Sequence, residues 1–395
     1  MKKSRLVLLF SAVVLLISAM CIGIGAEGNE AKIGDTEYAT LYEAMNAVSE
    51  NGTVVLLTDC TAPGNMNVGG ASYNIDGNGN SLTFESSWWG SRKITFTNIT
   101  IYTKGVQIGD TAKMTLGNGA VLTAPSGASQ RHLFQMVGSA EIVMEGGSEI
   151  KDAALTAMAI EPCIGNKFIM NGGKISGITG TNAFVTWGTS SVILNGGEIS
   201  GNSFSSAALS INSGTSAVFG DDIIIKNNGT NKIVTASGSD RLTVSDKFAK
   251  TVGYQADGGA TYYDRSMVAA SVDGVPYKTL PEAISAATAG KTVLLENDSD
   301  YSGSSLNEKN ITVDGQNHKM TVAADSAIWG ASNITFKNIT VYANNLTLGD
   351  SGKITLDEGA VLSTIPGATG AARSVLIQQT AVFTMNSGST VKDIV

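Results

Sequence analysis

Apolar and polar residues alternate along much of the chain in short runs that end at a pair of glycines. The clearest runs are "EIVMEGGSEIKD", "FIMNGGKISG" and "VILNGGEISG", whose glycine pairs begin at Gly146, Gly172 and Gly196. The steps between the pairs are 26 and 24 residues. Alternation with a period of two predicts short strands, and a fixed step of this length predicts stacked repeats that bury apolar ladders against their neighbours. We expect a coil of strands with glycine at its corners.

A longer repeat encloses the short one. The stretch "YATLYEAMNAV" at residues 38–48 returns as "YKTLPEAISAA" at 277–287, and "ITFTNITIY" returns as "ITFKNITVY", at an offset that drifts only from 239 to 241 residues. Each copy opens with a Thr-x-x-Glu capping box, formed by Thr40 with Glu43 and by Thr279 with Glu282. An apolar stripe at helical spacing follows. Each copy is therefore predicted to begin with a short helix that caps its coil.

The two copies predict two tandem domains, residues 31–265 and 268–395. The second copy matches only the first part of the first one, so we expect it to be incomplete at its C-terminal end. A short stack without a cap should be less stable than a long one, because the stability of such an array is roughly the sum of its units and interfaces.

Composition favours an all-β protein and argues against one class of partner. The 395 residues are 43% hydrophobic and only 15% charged, and 46 of them are glycine, which suits strands and tight turns better than helices. The formal net charge is −8, and no basic run follows the first few residues. Nucleic acid is therefore not expected as a partner.

The N-terminus has the pattern of an export signal. Basic "MKKSR" precedes an apolar run and small residues before Glu27. We predict a signal peptide over residues 1–26, no further membrane-spanning segment, and a secreted or cell-surface location. The alternatives are an uncleaved anchor helix and a lipoprotein signal at Cys21, which Met20 disfavours. Cys60 and Cys163 are predicted to lie about four turns, or on the order of 20 Å, apart, too far for a disulfide. We interpret both as small buried hydrophobes.

The ordered motifs "YATLYEAMNAV", "TVVLL", "NIDGNG" and "ITFTNITI", followed by turns of the "MNGGKISG" type, resemble the parallel β-helix domains of secreted and cell-surface bacterial proteins. The resemblance covers nearly all of the mature chain, in two copies. It implies an all-β, right-handed parallel β-helix solenoid with a pectate-lyase-like scaffold, each copy opened by a capping helix. It does not imply an activity, because this scaffold hosts lyases, hydrolases, tail spikes and adhesins.

Two pairs of aspartates are candidates for polysaccharide chemistry. Asp221 and Asp222 in "FGDDIIIKNNG" are similar to the Gly-Asp-Asp of polygalacturonases, in which paired aspartates do acid–base work on a glycosidic bond. The Gly-His-Gly and Arg-x-Lys of that family are missing, so we interpret the pair as a solvated turn before a strand. Asp298 and Asp300 are candidates for the calcium site of a lyase, and we interpret them as a solvated turn too.

The histidines and two arginines are weaker candidates for a functional site. Arg131 and Arg373 occupy similar places in the two copies, but neither has an acidic cluster near it in the sequence. His132 and His318 lack a His or Cys partner at metal-ligand spacing, so we expect both to be solvated surface residues.

The tryptophans are the best indication of contact with sugars. Trp88, Trp89, Trp187 and Trp329 could each offer a flat face to a pyranose ring, and Trp89 and Trp329 align as "WWG" and "IWG" between the copies. The alternative is packing under a loop or on a turn.

These observations favour a β-helix protein that acts as an adhesin-like binding module or a structural spacer. The expected partner is a polysaccharide, a host or cell-wall glycan, or a surface protein. The second hypothesis is a polysaccharide lyase or glycoside hydrolase on the same scaffold. We assign no catalytic, cofactor-binding or metal-ligating residue from the sequence, and we expect no cofactor.

Overall fold

A computed structural model describes residues 28–255, 260–367 and 374–393. These residues form a parallel β-helix, a β-solenoid of about 13 turns, so the predicted fold class is confirmed. The chain divides into two compact units: one runs to Glu198 and includes Gly214–Val218, and the other comprises Ile199–Ser213 and the chain from Phe219 onward. The tandem boundary, the duplication and the right hand of the coil stay predictions. The predicted signal peptide with Cys21, and Arg373, lie outside the described residues.

The first unit contains nineteen complete strands and the start of a twentieth. In chain order they are β1 Ala31–Ile33, β2 Thr36–Tyr38, β3 Thr53–Leu56, β4 Cys60–Thr61, β5 Ser72–Asp76, β6 Ser81–Phe84, β7 Lys93–Thr97, β8 Thr100–Thr103, β9 Val106–Ile108, β10 Lys113–Leu116, β11 Val121–Thr123, β12 Phe134–Met136, β13 Glu141–Met144, β14 Glu149–Lys151, β15 Met158–Pro162, β16 Lys167–Met170, β17 Lys174–Ser176, β18 Thr179–Gly180 and β19 Asn182–Thr186, followed by β20 Ser191–Ser200.

Three parallel sheets of the first unit each take one strand from a turn. The first sheet joins β3, β5, β7, β10, β13 and β16, and the second joins β4, β6, β8, β11, β14 and β17. The third sheet joins β9, β12, β15 and β19. In the first sheet, Ile94, Met114, Ile142 and Phe168 are aligned on successive turns and are fully buried. Each such side chain contributes about 1.5–3 kcal/mol by leaving water, and the predicted apolar ladder is confirmed.

The repeated glycine pair has a geometric cause. The second glycine of each pair, at Gly147, Gly173 and Gly197, has a φ of 81°, 81° and 98°. A side chain in that region of φ is strained. Space is limiting as well, because a Cβ on Gly173 would lie 2.5 Å from the carbonyl oxygen of Ser148 on the preceding turn. The corner therefore needs glycine for both its backbone conformation and its close stacking.

A helix over Leu41–Ala47 opens the first unit as predicted. Glu43 donates its backbone N–H to Thr40 Oγ1 at 3.2 Å, and Glu43 Oε2 accepts the Thr40 N–H at 3.3 Å, so the capping box is complete. The apolar stripe with Leu41 and Met45 is buried. Strands β1 and β2 form an antiparallel hairpin beside it, and β1 also pairs with β3, which closes this end of the coil.

The second unit has the same plan. Its strands are β21 Ser203–Phe204, β22 Leu209–Ile211, β23 Ser216–Lys226 (which begins in the first unit), β24 Lys232–Ala236, β25 Leu242–Val244, β26 Gly253–Gln255, β27 Thr261–Asp264, β28 Ala270–Val272, β29 Val275–Tyr277, β30 Thr292–Leu295, β31 Ser299–Tyr301, β32 Asn310–Asp314, β33 Lys319–Val322, β34 Ala327–Ile328, β35 Asn333–Lys337, β36 Thr340–Tyr342, β37 Leu346–Leu348, β38 Lys353–Leu356, β39 Val361–Ser363, β40 Val375–Ile377, β41 Val382–Met385 and β42 Thr390–Lys392.

Parallel sheets again run turn by turn from β30 onward, after the antiparallel hairpin β28–β29. The helix Leu280–Ala286 precedes them with the predicted capping box of Thr279 and Glu282, and a further helix spans Asp246–Thr251. In the part of the chain that the structure describes, no helix has the length and apolar character needed to cross a membrane.

Candidate functional site

The four tryptophans fall into two kinds. Trp88 is fully buried, which removes it from the candidates for ligand contact. Trp89, Trp187 and Trp329 are 47%, 44% and 38% exposed. Each of these three is followed by a glycine, and the φ angles of those glycines are 137°, 66° and 80°. This conformation turns the chain sharply after the tryptophan, so the side chain is left at an outer corner of the solenoid.

Two of the exposed rings lie against a glycine of the next turn. A Cβ on Gly109 would come within 2.3 Å of the Trp89 ring, and a Cβ on Gly349 within 2.0 Å of the Trp329 ring. Neither glycine is among those with a positive φ, so the close approach of the ring is what requires glycine there. Part of each ring therefore packs on backbone, while Trp89 remains 47% and Trp329 38% exposed. Packing is thus shown for these two rings, and contact with sugars stays a prediction.

The backbone at these corners is also fixed. Trp329 donates its N–H to Asn307 Oδ1 at 3.0 Å, and its carbonyl oxygen accepts the hydroxyl of Ser332 at 2.7 Å. Likewise, Ser190 donates its hydroxyl to the carbonyl oxygen of Trp187 at 2.9 Å. These bonds hold the backbone that carries the Trp329 and Trp187 side chains.

In the first unit, two of the exposed tryptophans share one row. The pairing of Trp88 with Ile108 sets Trp89 beside Gly109, and the register of the third sheet then aligns Val137, Cys163 and Trp187 on the following turns. At about 4.8 Å per turn, the two tryptophans at the ends of this row are about 19 Å apart. We call this row the tryptophan row.

A polar row lies beside the tryptophan row. Gln107, Gln135 and Glu161 precede three of its members by two residues, which places the two rows about 7 Å apart on the same face of the sheet. Gln107 Nε2 donates to Gln135 Oε1 at 2.6 Å, and Gln135 Nε2 donates to Glu161 Oε2 at 3.2 Å. The amides therefore form a continuous ladder along the same direction.

Glu161 lies at the end of that ladder. Its carboxylate is buried, and Arg131 balances its charge. Arg131 Nη2 donates to its Oε1 at 2.7 Å, and His132 Nδ1 lies 3.3 Å from its Oε2. One prediction was therefore wrong, because His132 is buried rather than solvated. Arg131 has a single acidic partner, which lies 30 residues away in the sequence. Burial lowers the pKa of His132, with a further lowering from Arg131, against the opposing effect of Glu161. Both residues lie just before strand β12, which pairs with strand β15 that carries Glu161, so their order in the sequence does not show this contact.

The two cysteines that the structure describes, Cys60 and Cys163, are free thiols, and only one of them is buried as predicted. Cys60 is buried, and burial raises the pKa of its thiol to about 11. Cys163 is only partly buried, although burial raises its pKa too. Its place in the tryptophan row explains the difference, because that row faces outward.

The structure does not assemble a hydrolase site at Asp221 and Asp222. Both are exposed, as predicted, but they lie within strand β23 and not in a turn. Asp222 Oδ1 forms an exposed ion pair with Lys247 at 2.8 Å, at a surface depression of about 500 Å³.

The lyase candidates are also dispersed. Asp298 accepts the backbone N–H of Lys319 at 2.9 Å and lies 3.5 Å from His318, whereas Asp300 is exposed on strand β31. His318 is partly exposed, in keeping with the prediction of a surface histidine. Among the residues that the structure describes, no group of three or more His, Cys, Asp or Glu side chains could hold a metal ion.

Sequence reasoning missed Trp187 as an equivalent of the aligned pair, and it missed the ladder that ends at Glu161. A usable signal was present for the first of these, since the dipeptide Trp-Gly occurs at all three exposed positions. No protein-family model and no curated protein matches this chain.

Proposed function

We propose that this chain is a secreted or cell-surface β-helix module that binds glycans in an adhesin-like manner through its exposed Trp-Gly corners. The observation that carries the proposal is that Trp89 and Trp329 each pack part of the ring against a glycine while remaining 47% and 38% exposed. The secreted or cell-surface location rests on the predicted export signal, and glycan binding rests on this geometry.

The physical reason lies in the chemistry of pyranose rings. One face of a pyranose ring presents C–H groups, which leave water and pack on a flat aromatic surface, while its hydroxyls stay at the edge for hydrogen bonding. Tryptophan offers a large and rigid contact area at a small cost in conformational entropy. A glycine beneath the ring holds it in one position, which makes the platform available before the ligand arrives.

A degradative enzyme on this scaffold is less well supported. Asp222 is exposed and paired with Lys247, and Asp221 lies beside it on an open surface. A long solenoid with binding corners needs no catalytic set to act in adhesion.

The test compares glycan binding of the wild type with variants of the platform. We expect a glycan array to show binding that Trp89→Ala with Trp329→Ala removes, while the circular dichroism spectrum shows that the variant remains folded. Gly109→Ala should lift the ring of Trp89 and weaken binding without removing an aromatic residue. Gly146→Ala is the matched control, because a Cβ there meets nothing within 4 Å and its φ is not positive.

Turnover of the bound glycans is measured in parallel. If the wild type releases shorter sugars and the double variant Asp221→Asn with Asp222→Asn does not, the protein is a hydrolase and the proposed binding function is wrong. Glycan binding that survives loss of both platform tryptophans would also overturn the proposal.

A further inference from the structure

The tryptophan row of the first unit extends the proposed function from single sugars to a chain. We propose that this row and the polar row beside it bind one linear, uncharged polysaccharide that runs along the solenoid axis from Trp89 to Trp187. This inference rests on the proposed function, and it adds the class of ligand, its direction and a second aromatic contact.

The direction follows from the register of the third sheet. Trp89 and Trp187 occupy the same position in their turns, four turns apart, so a line between their rings runs across the strands, about 19 Å long. Between them the row holds Gly109, Val137 and Cys163, which are small or apolar. These residues place no bulky side chain between the two tryptophan rings. A ligand that touches both rings must therefore cross successive turns and be several sugars long.

The polar row supplies hydrogen-bonding groups along the same path. The amides of Gln107 and Gln135 are linked by a hydrogen bond of 2.6 Å, and Gln135 reaches Glu161 at 3.2 Å. This ladder orients the two amides along the axis, and Gln107 and Gln135 are each only partly buried. Hydroxyls at the edge of a sugar chain can both donate to and accept from such groups.

Charge argues for an uncharged chain. Arg131, a cation near the polar row, is paired with Glu161 at 2.7 Å. Lys104, two residues before strand β9, is paired with Glu85 at 2.6 Å. Asp110, next to the glycine under Trp89, is exposed, and the chain carries a net charge of −8. A uronic acid polymer would meet repulsion on this surface, and a neutral polymer would not.

The experiment uses the full chain with Trp329→Ala, which leaves the tryptophan row as the aromatic site under test. Calorimetric titration with cello-, xylo- and manno-oligosaccharides, from disaccharide to octasaccharide, measures how affinity depends on length. We expect affinity for at least one series to rise until the chain reaches across both rings and then to level off. Oligogalacturonides should bind more weakly at every length.

Trp187→Ala in the same background should lower the affinity for long chains about tenfold, as loss of 1.4 kcal/mol would, and leave short chains almost unaffected. Trp187→Phe should restore part of that loss, which separates ring contact from misfolding. Tyr42→Ala is the matched control, because Tyr42 is 44% exposed, as Trp187 is, but lies on the first helix.

The outcomes separate this inference from the proposed function. Glycan binding that depends on Trp89 but not on Trp187 or on chain length would overturn the inference and leave the proposed function standing. Tighter binding of oligogalacturonides would overturn the uncharged ligand. Failure of the wild type to bind any glycan would remove the proposed function, and this inference with it.

Discussion

The adjacent pair Trp88 and Trp89 offers a sharp test of the packing described here. A tryptophan buries at most about 250 Å², which at about 25 cal/mol per Å² is about 6 kcal/mol as an upper bound. Trp88 is fully buried, and its ring lies edge-on to Phe96 at 6.4 Å. Trp89 is 47% exposed, so its upper bound is about half as large. We expect Trp88→Ala to lower the free energy of unfolding by about 4–5 kcal/mol and Trp89→Ala by about 2 kcal/mol.

The assay is urea denaturation of each variant, monitored by circular dichroism. The free energies are compared only where the dependence on urea concentration (the m-value) is equal, since a changed m-value would mean that the unfolding is no longer comparable. Trp88→Phe is the third variant in this experiment. Trp88 Nε1 is buried without a hydrogen-bond partner among the described residues. Phenylalanine keeps most of the ring and removes that N–H, so the cost should fall below about 1.5 kcal/mol. Equal costs for the two alanine variants would refute the assignment of one ring to the core and the other to the surface.

Four further predictions concern other parts of the chain. Thr40→Ala should lower the unfolding free energy by about 1 kcal/mol through loss of the helix cap, and an unchanged melting temperature would count against the cap. The pKa of His132 lies below its ordinary value of 6.5, so the unfolded state takes up more protons and stability should fall as the pH drops below about 6.5; His132→Gln should flatten that dependence, and an identical pH profile would exclude this origin. Cys60, with a buried thiol and a pKa of about 11, should react with a thiol reagent at neutral pH more slowly than Cys163, and the reverse order would contradict its burial. Asp222→Asn should leave the melting curve unchanged, because the ion pair is exposed; a clear drop would show that the pair is structural.

Much of the fold could be predicted because its signals are local. The alternation of buried residues, the two capping boxes and the glycine corners each depend on a few neighbouring residues, and each was found where the sequence placed it. These local elements then require the turns to stack, since a single turn cannot bury its own apolar face.

The candidate site was harder because it depends on register. Whether Trp88 or Trp89 faces the core is decided by a single residue, and a shift of one position exchanges the faces of a strand. The contact of Arg131 with Glu161 joins residues 30 positions apart, while the quoted glycine pairs are separated by 24 and 26 residues. Turn length therefore varies, and a sequence period alone cannot show which residues meet.

The most direct test of the central claim is to measure how far a bound glycan protects the tryptophans from acrylamide, which quenches exposed indole fluorescence. Trp88 is buried and should contribute no change, so the signal reports Trp89, Trp187 and Trp329. We expect a glycan that binds to reduce quenching in the wild type and to have no effect on a variant that keeps Trp88 alone. Saturating binding with unchanged quenching would show that the ligand lies elsewhere and would contradict the account.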